Sequence, residues 1–143
     1  MTTDEVEISC DKDRLDIEAI HAFLEHSYWS PGISIDIVRR SISNSLCFGV
    51  YHGSRQIGFA RVVTDQATFA YLADVYLLET YRGRGFAKKL LQFVMAHPDL
   101  QGLRRFMLAT RDAHSLYRRF GFDSVMNPER LMEILRPGIY QES

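Results

Sequence analysis

Apolar and polar residues follow two rhythms along this chain. A period of two marks Val6-Glu7-Ile8-Ser9 as a short strand. A helical spacing then takes over from Leu15 to His26, with Ile17, Ile20 and Leu24 on one face and Asp13 as a candidate N-cap. The turn formers Ser27 to Gly32 break that helix. A second one is predicted over Ser34 to Ser43, with Ile35, Val38 and Ile42 inward. Leu46 to His52 and Gln56 to Thr64 read as strands joined at Gly53-Ser54, a hairpin. Thr68 to Leu78 reads as the central strand. A helix over Phe86 to His97 follows, with Pro98 beyond its end. The remainder reads as a strand at Arg104 to Ala109 and a short helix with Ala113, Leu116, Tyr117 and Phe120 inward. A strand near Phe122 to Val125, a turn at Asn127-Pro128 and a last strand at Arg130 to Leu135 complete the order. It is a mixed α/β order.

The join between the central strand and the long helix carries the chemistry. It reads Tyr81-Arg82-Gly83-Arg84-Gly85-Phe86-Ala87. Glycines let backbone N–H groups approach an anion without a Cβ in the way. The first turn of a helix adds unpaired donors and a partial positive charge. Arg82 and Arg84 add cationic donors, so the segment suits a pyrophosphate. The P-loop spacing Gly-x-x-x-x-Gly-Lys-Ser/Thr is absent. A dinucleotide fingerprint fails too, because Lys88 stands where its third glycine belongs and no strand-ending acid follows about 20 residues on. The pattern that fits is Arg/Gln-x-x-Gly-x-Gly/Ala, filled by Arg82, Gly85 and Ala87. Downstream stands a second string, Leu116-Tyr117-Arg118-Arg119-Phe120-Gly121-Phe122, on the short helix and its glycine stop.

In this order and at this separation, the two strings resemble the two signatures of the GNAT N-acetyltransferase superfamily. The resemblance implies an α/β (α+β) fold: a mixed, mostly antiparallel sheet of six to seven strands with about four helices. It implies central strands that splay apart to hold acetyl-CoA. The pantetheine arm would pair with the exposed edge of the central strand at Val75, Tyr76 and Leu77. The pyrophosphate would meet Arg82, Gly83, Arg84, Gly85, Phe86 and Ala87. Many members carry a proline after the central strand; here Glu79 and Thr80 stand there, which predicts a changed loop shape with binding kept.

Acetyl transfer to an amine needs a neutral amine, a donor for the carbonyl oxygen and a proton for the leaving thiolate. By the resemblance, Tyr117 supplies that proton; a phenol is protonated at neutral pH. Read from the residues alone, without the motif, Tyr117 is first a core aromatic on a helical stripe. Asp74 interrupts the apolar run Tyr71 to Tyr76 and is a candidate to take or bind the amine's proton; the alternative is an ordinary hydrogen-bonded acid at a strand edge. His114 is a rival base, and His21 reads as a structural histidine. Tyr28, Trp29 and Tyr71 are candidate acceptor-pocket residues, with Pro31, Gly32, Phe48 and Glu133 as further wall candidates.

Bulk properties narrow the partners. The chain has 143 residues, the size of one domain spanning 1–143, with 46% hydrophobic and 24% charged residues. A net charge of −1 argues against a broad nucleic-acid or membrane-surface footprint, though Arg82/Arg84, Arg104/Arg105 and Arg118/Arg119 cluster. No apolar run reaches a membrane span, and the acidic start Met1 to Glu5 lacks the features of a signal peptide. Cys10 and Cys47 lack metal-ligand spacing; with Cys47 read as a small buried hydrophobe, the usage suits a reducing cytoplasm and no metal. A bare domain leans toward a small-molecule amine as acceptor. An acetyl-CoA sensor without turnover and a protein or peptide acetyltransferase stay open, as does a homodimer.

Overall fold

The computed structural model describes residues 5–141; Met1 to Asp4, most of the acidic start read from the sequence, lies outside them. Five strands form one sheet in the order β1-β2-β3-β4-β5: β1 (Glu7–Ser9), β2 (Leu46–His52), β3 (Arg55–Thr64), β4 (Phe69–Leu77) and β5 (Arg105–Leu108). The first four pair antiparallel in sequence order, and β5 joins β4 in parallel. A parallel join requires a crossover, and α3 (Phe86–Met95) supplies it.

Two apolar clusters hold the sheet from its two faces. One packs Phe86, Leu90, Leu91 and Val94 of α3 against Phe48, Val50, Val62 and Leu72. The other packs α1 (Ile17–Leu24) and α2 (Ile35–Ser43) against Cys47, Phe59 and Tyr76. The central strands therefore read as continuous apolar runs because both faces are covered. Phe48 lies fully buried in the α3 cluster, which removes it from any ligand wall. Cys47 is buried as expected, and that burial pushes its thiol from 9.0 up to about 11.

Local signals set most boundaries. α1 begins at Ile17 because Asp16, and not Asp13, caps it: the Asp16 carboxylate accepts from the Ala19 N–H at 3.0 Å. Asp13 lies in a short 3-10 turn, Lys12–Arg14. Gln56, buried in β3, accepts from the Asp16 N–H at 2.7 Å and so ties this helix start to the sheet. Ser34 caps α2 at the Ile37 N–H. The β2–β3 hairpin turns at Gly53, whose φ is +61°. Between β3 and β4, the Asp65 carboxylate accepts from the backbone of Ala67, Thr68 and Phe69 and from the Thr68 hydroxyl, which holds its pKa well below the usual range. The short helix α4 (His114–Arg118) stops at Gly121, φ +95°, the left-handed ending its sequence predicts.

The C-terminal part differs from expectation. Phe122 to Val125 and Arg130 to Leu135 form no strands, so the sheet has five strands where six to seven were expected. Leu131 keeps extended dihedrals, φ −94° and ψ +137°, but a strand exists only where a neighbour completes its ladder. Among the described residues, no segment pairs with it. Residues 122–136 run instead as an irregular arm past the outer edge of β5, with a 3-10 turn at Pro128–Arg130.

Candidate functional site

The sheet opens at β4. Its pairing with β5 runs from Phe69–Arg105 to Leu72–Leu108 and ends there, while β4 continues to Leu77. Beyond Leu72 the β5-side edge of β4 is free. A bulge shapes this stretch: Phe59 faces Tyr76 and Arg61 faces Ala73, so Asp74 and Val75 together oppose Ala60. Asp74 sits at the bulge in a left-handed conformation, φ +55°, which aspartate tolerates better than most residues.

Alternation decides which groups face the opening. The Leu78 N–H donates to Ile57 O on β3 at 2.8 Å. Backbone groups one residue earlier point the other way, so Leu77, and Val75 two before it, turn their N–H and C=O to the free edge. Tyr76 is placed differently: its backbone turns to β3, and its ring stacks on Phe23 with centroids 3.8 Å apart under α1. That burial raises its pKa strongly. The open edge is thus Val75 and Leu77, with Tyr76 as the residue that locks the strand.

The glycine turn comes next. Gly83 and Gly85 have φ of +75° and +83°. A Cβ at either would meet nothing within 4 Å, so the backbone conformation demands glycine while the space above the turn stays open. Gly85 is the N-cap of α3 and offers no side-chain acceptor, which leaves the N–H groups of the first turn at Phe86 and Ala87 uncapped. Arg82 folds back, its Nε donating to Leu77 O at 3.0 Å, and so ties the turn to the end of β4. Arg84 stands with its guanidinium 5.5 Å from the Tyr81 ring centroid, and Tyr81 hydrogen-bonds His52 at 2.7 Å. A free strand edge running into an uncapped helix start suits an amide-rich arm ending in a diphosphate.

Tyr117 packs on the α3 cluster, as do Val75 and Ala87, with its ring edge-on to Phe122 at 6.0 Å. Burial, then Tyr28 and Asp112, raise its pKa above the ordinary phenol value. The phenol therefore carries its proton throughout the neutral range. Tyr117 also lines a groove of about 850 Å³ between β5 and the C-terminal arm, with His114, Phe106 and Leu108 among the other walls. This groove is separate from the glycine turn. His114 itself is exposed.

On the other face, side chains build a connected cluster. Asp74 accepts from Arg61 Nε at 2.8 Å through one oxygen and from Trp29 Nε1 at 2.8 Å through the other. Arg61 also donates to the Ser45 hydroxyl at 3.1 Å. The ion pair is well covered, with side-chain exposures of 19% for Arg61 and 8% for Asp74. Trp29 meets Tyr28 edge-on at 5.0 Å, and the Arg111 guanidinium lies 3.9 Å over the Tyr28 ring. The loop between α1 and α2 is thereby fastened to β4 at one end and to the segment after β5 at the other. Sequence reasoning missed Arg61 and Arg111. An arginine inside the apolar strand Ile57 to Val63 was a signal for the first; for the second there was none. His21 is structural, bonding Ile33 O at 3.0 Å. Tyr71 stands apart on β4, exposed and opposite Val63 and Met107. Glu133 is exposed on the arm. Among the described residues, no group of three or more His, Cys, Asp or Glu is arranged to hold a metal ion. No helix there is long and apolar enough to cross a membrane.

Comparison with known proteins agrees with this geometry. The family model described as Acetyltransferase (GNAT) family matches residues 13–122. A Gibberella zeae protein assigned as an acetyltransferase is 32% identical over 133 residues, covering 77% of this chain and 74% of that one. A crystal structure from Xanthomonas campestris pv. campestris, assigned to the GNAT family of acetyltransferases, is 52% identical. It superposes with a TM-score of 0.94 over 96% of this chain and 98% of that chain. A Clostridium acetobutylicum protein assigned as an acetyltransferase and solved with acetyl-CoA shares the fold at 16% identity, with a TM-score of 0.66 over 92% of this chain and 95% of that one.

Proposed function

We propose that this chain, which belongs to the acetyltransferase (GNAT) family, acts as a single domain that moves the acetyl group of acetyl-CoA to a primary amine, most simply a small-molecule amine in the cytoplasm. One observation carries the reading. The β4 edge freed beyond Leu72 leads into a left-handed glycine turn with an uncapped helix start, and Tyr117 packs on the same cluster as Val75. Acetyl-CoA supplies an activated thioester when bound. The Val75 and Leu77 backbone groups hold its amide arm. The N–H groups of Gly83 to Ala87, with Arg82 and Arg84, take the diphosphate.

The chain's own groups then divide the work. A β4 N–H at the free edge, Leu77 being the one in place, donates to the carbonyl oxygen as charge builds on it. The acceptor nitrogen forms its bond to the carbonyl carbon as the carbon–sulfur bond breaks. Tyr117 gives its phenolic proton to the departing sulfur, and its raised pKa keeps that proton available at neutral pH. The amine's proton passes to water. Asp74, with both oxygens already accepting, serves to anchor Trp29 and to set a negative charge beside an incoming ammonium.

Thiol release from acetyl-CoA, measured against a panel of amines, amino acids and short peptides, tests the reading. Selective release that falls sharply in Tyr117→Phe supports it. Tight acetyl-CoA binding with no release on any acceptor would instead favour a sensor. Absence of acetyl-CoA binding overturns both.

A further inference from the structure

The outer end of the Trp29 cluster holds a cation in place and leaves its hydrogen-bonding edge free. Arg111 stands between β5 and α4, in a turn that the Thr110 hydroxyl closes by accepting from the Ala113 N–H at 3.1 Å. Its guanidinium lies 3.9 Å over the Tyr28 ring. Tyr28 is held from its own side. The buried Ser27 hydroxyl donates to Leu24 O at 2.7 Å and accepts from the Ser30 N–H at 3.0 Å, which fixes the loop that carries the ring. A guanidinium stacked on a ring uses its face, while its N–H donors lie in its plane and point outward. Arg61 is paired with Asp74 and Arg118 faces Asp123, but among the described residues no carboxylate pairs with Arg111. Asp112, its neighbour in sequence, acts on Tyr117 instead.

Placement adds to the charge. The Tyr28 phenol acts on the Tyr117 phenol, so the ring under Arg111 borders the reacting end of the cleft. Trp29, edge-on to Tyr28 at 5.0 Å, continues the same wall to Asp74 at the β4 bulge. Tyr28 and Trp29 remain 53% and 39% exposed, a wide aromatic surface for side chains fixed this firmly. The wall therefore runs from an acid, across two uncovered rings, to a cation. Resting on the reading that this is the acceptor side of an acetyltransferase, we propose that the acceptor is an amine that also carries an anionic group, a carboxylate or a phosphate, and that Arg111 binds that group. The amine end lies toward Asp74, whose oxygens keep lone pairs beyond their two bonds. The stem crosses the rings. The fork of Arg111 meets two oxygens of the anion at once, a match that carboxylate and phosphate share. Because Tyr28 already orders the guanidinium, little freedom is lost when the anion arrives.

Thiol release from acetyl-CoA and Trp29 fluorescence together test this. Trp29 is the chain's only tryptophan, so its emission reports on this wall. The probes are glycine and its longer ω-amino homologues, aminoalkyl phosphates of matching length, and plain alkylamines. Anionic amines are expected to exceed alkylamines in kcat/KM by about 10- to 100-fold, the range of a charge-assisted pair. They should also change the Trp29 emission saturably with CoA bound. The series with the larger preference, carboxylate or phosphate, identifies the anion. In Arg111→Gln every amine should lose a few-fold through the looser Tyr28, and the anionic ones about tenfold more. A merely structural arginine would lower all amines alike. Arg111→Lys should restore part of the preference, since the charge returns without the fork. Equal turnover of alkylamines and anionic amines overturns the proposal and leaves acetyl transfer standing. A preference that survives Arg111→Gln in a folded protein overturns it as well, because the anion is then read elsewhere. If no amine releases thiol, acetyl transfer to these amines fails instead, and the emission still decides. A saturable response to anionic amines that Arg111→Gln abolishes supports the site; no response overturns it.

Discussion

The two sides of the β4 opening are built from different materials. On the glycine-turn side the groups that face the opening are backbone: the free edge at Val75 and Leu77 and the uncapped start of α3. On the Trp29 side they are side chains from four separate segments, Trp29, Arg61, Asp74 and Arg111, with Tyr28 between two of them. A backbone site depends on conformation, so it tolerates varied side chains and demands glycine at a left-handed φ. A side-chain site depends on every partner at once, because a buried charge left alone is costly. The first kind suits a ligand common to a whole family. The second suits an acceptor that changes from member to member.

Substitutions can break this contrast. The largest effect is expected from Tyr117→Phe, with kcat lower by about 10²–10⁴-fold and acetyl-CoA affinity little changed, read by pre-steady-state thiol release and calorimetry. If full turnover survives at all pH values, Tyr117 is a core aromatic and the proton comes from elsewhere. Asp74→Ala should follow: it leaves the covered Arg61 cation unpaired and puts a poorly suited residue at φ +55°, costing about 3 kcal/mol of stability in denaturant titrations. Asp74→Asn keeps one acceptor oxygen, enough for Trp29 with the Arg61 bond lost, and removes any proton-accepting role. An anchor role predicts a changed acceptor KM with a similar pH profile, whereas a proton-accepting role predicts a collapse of kcat in a folded protein.

Gly85→Val should weaken acetyl-CoA binding by about 30-fold or more while costing on the order of 1–2 kcal/mol of stability through its left-handed φ. The acceptor KM should hardly move. An equal loss for both ligands would show that the two sides are not separable. Arg111→Ala is expected to do the reverse, raising the acceptor KM a few-fold through a looser Tyr28 with acetyl-CoA affinity intact.

The smallest effect lies in the core. Cys47 and Tyr76 have pKa values raised by burial, so the unfolded chain ionises first as pH rises. Their contribution is whole below pH 9 and is lost progressively as pH climbs through about 11. Thermal melts from pH 8 to 11 should slope downward, and Cys47→Ala should flatten the slope; an identical slope would exclude Cys47 as a source.

The same contrast sets what was legible in the chain. The glycine turn, the cap of α2, the hairpin at Gly53 and the stop at Gly121 are local, each fixed by a φ or a cap within a few residues, and the sequence determined them. Tyr117 and the residues from Val75 to Ala87 could be singled out because each lies in or beside a contiguous motif. The sequence also identified Trp29 and Asp74 separately, one as a lone tryptophan in a turn and the other as an acid in an apolar run. Only the tertiary structure joined them, through a hydrogen bond across 45 residues, and brought in Arg61 and Arg111. Only it turned Tyr76 away from the opening, through one bulge that shifts the alternation of β4. Only it left Arg130 to Leu135 without a ladder. Periodicity records which residues are suited to a strand; whether a strand forms depends on a neighbour that folding, or a second chain, must supply.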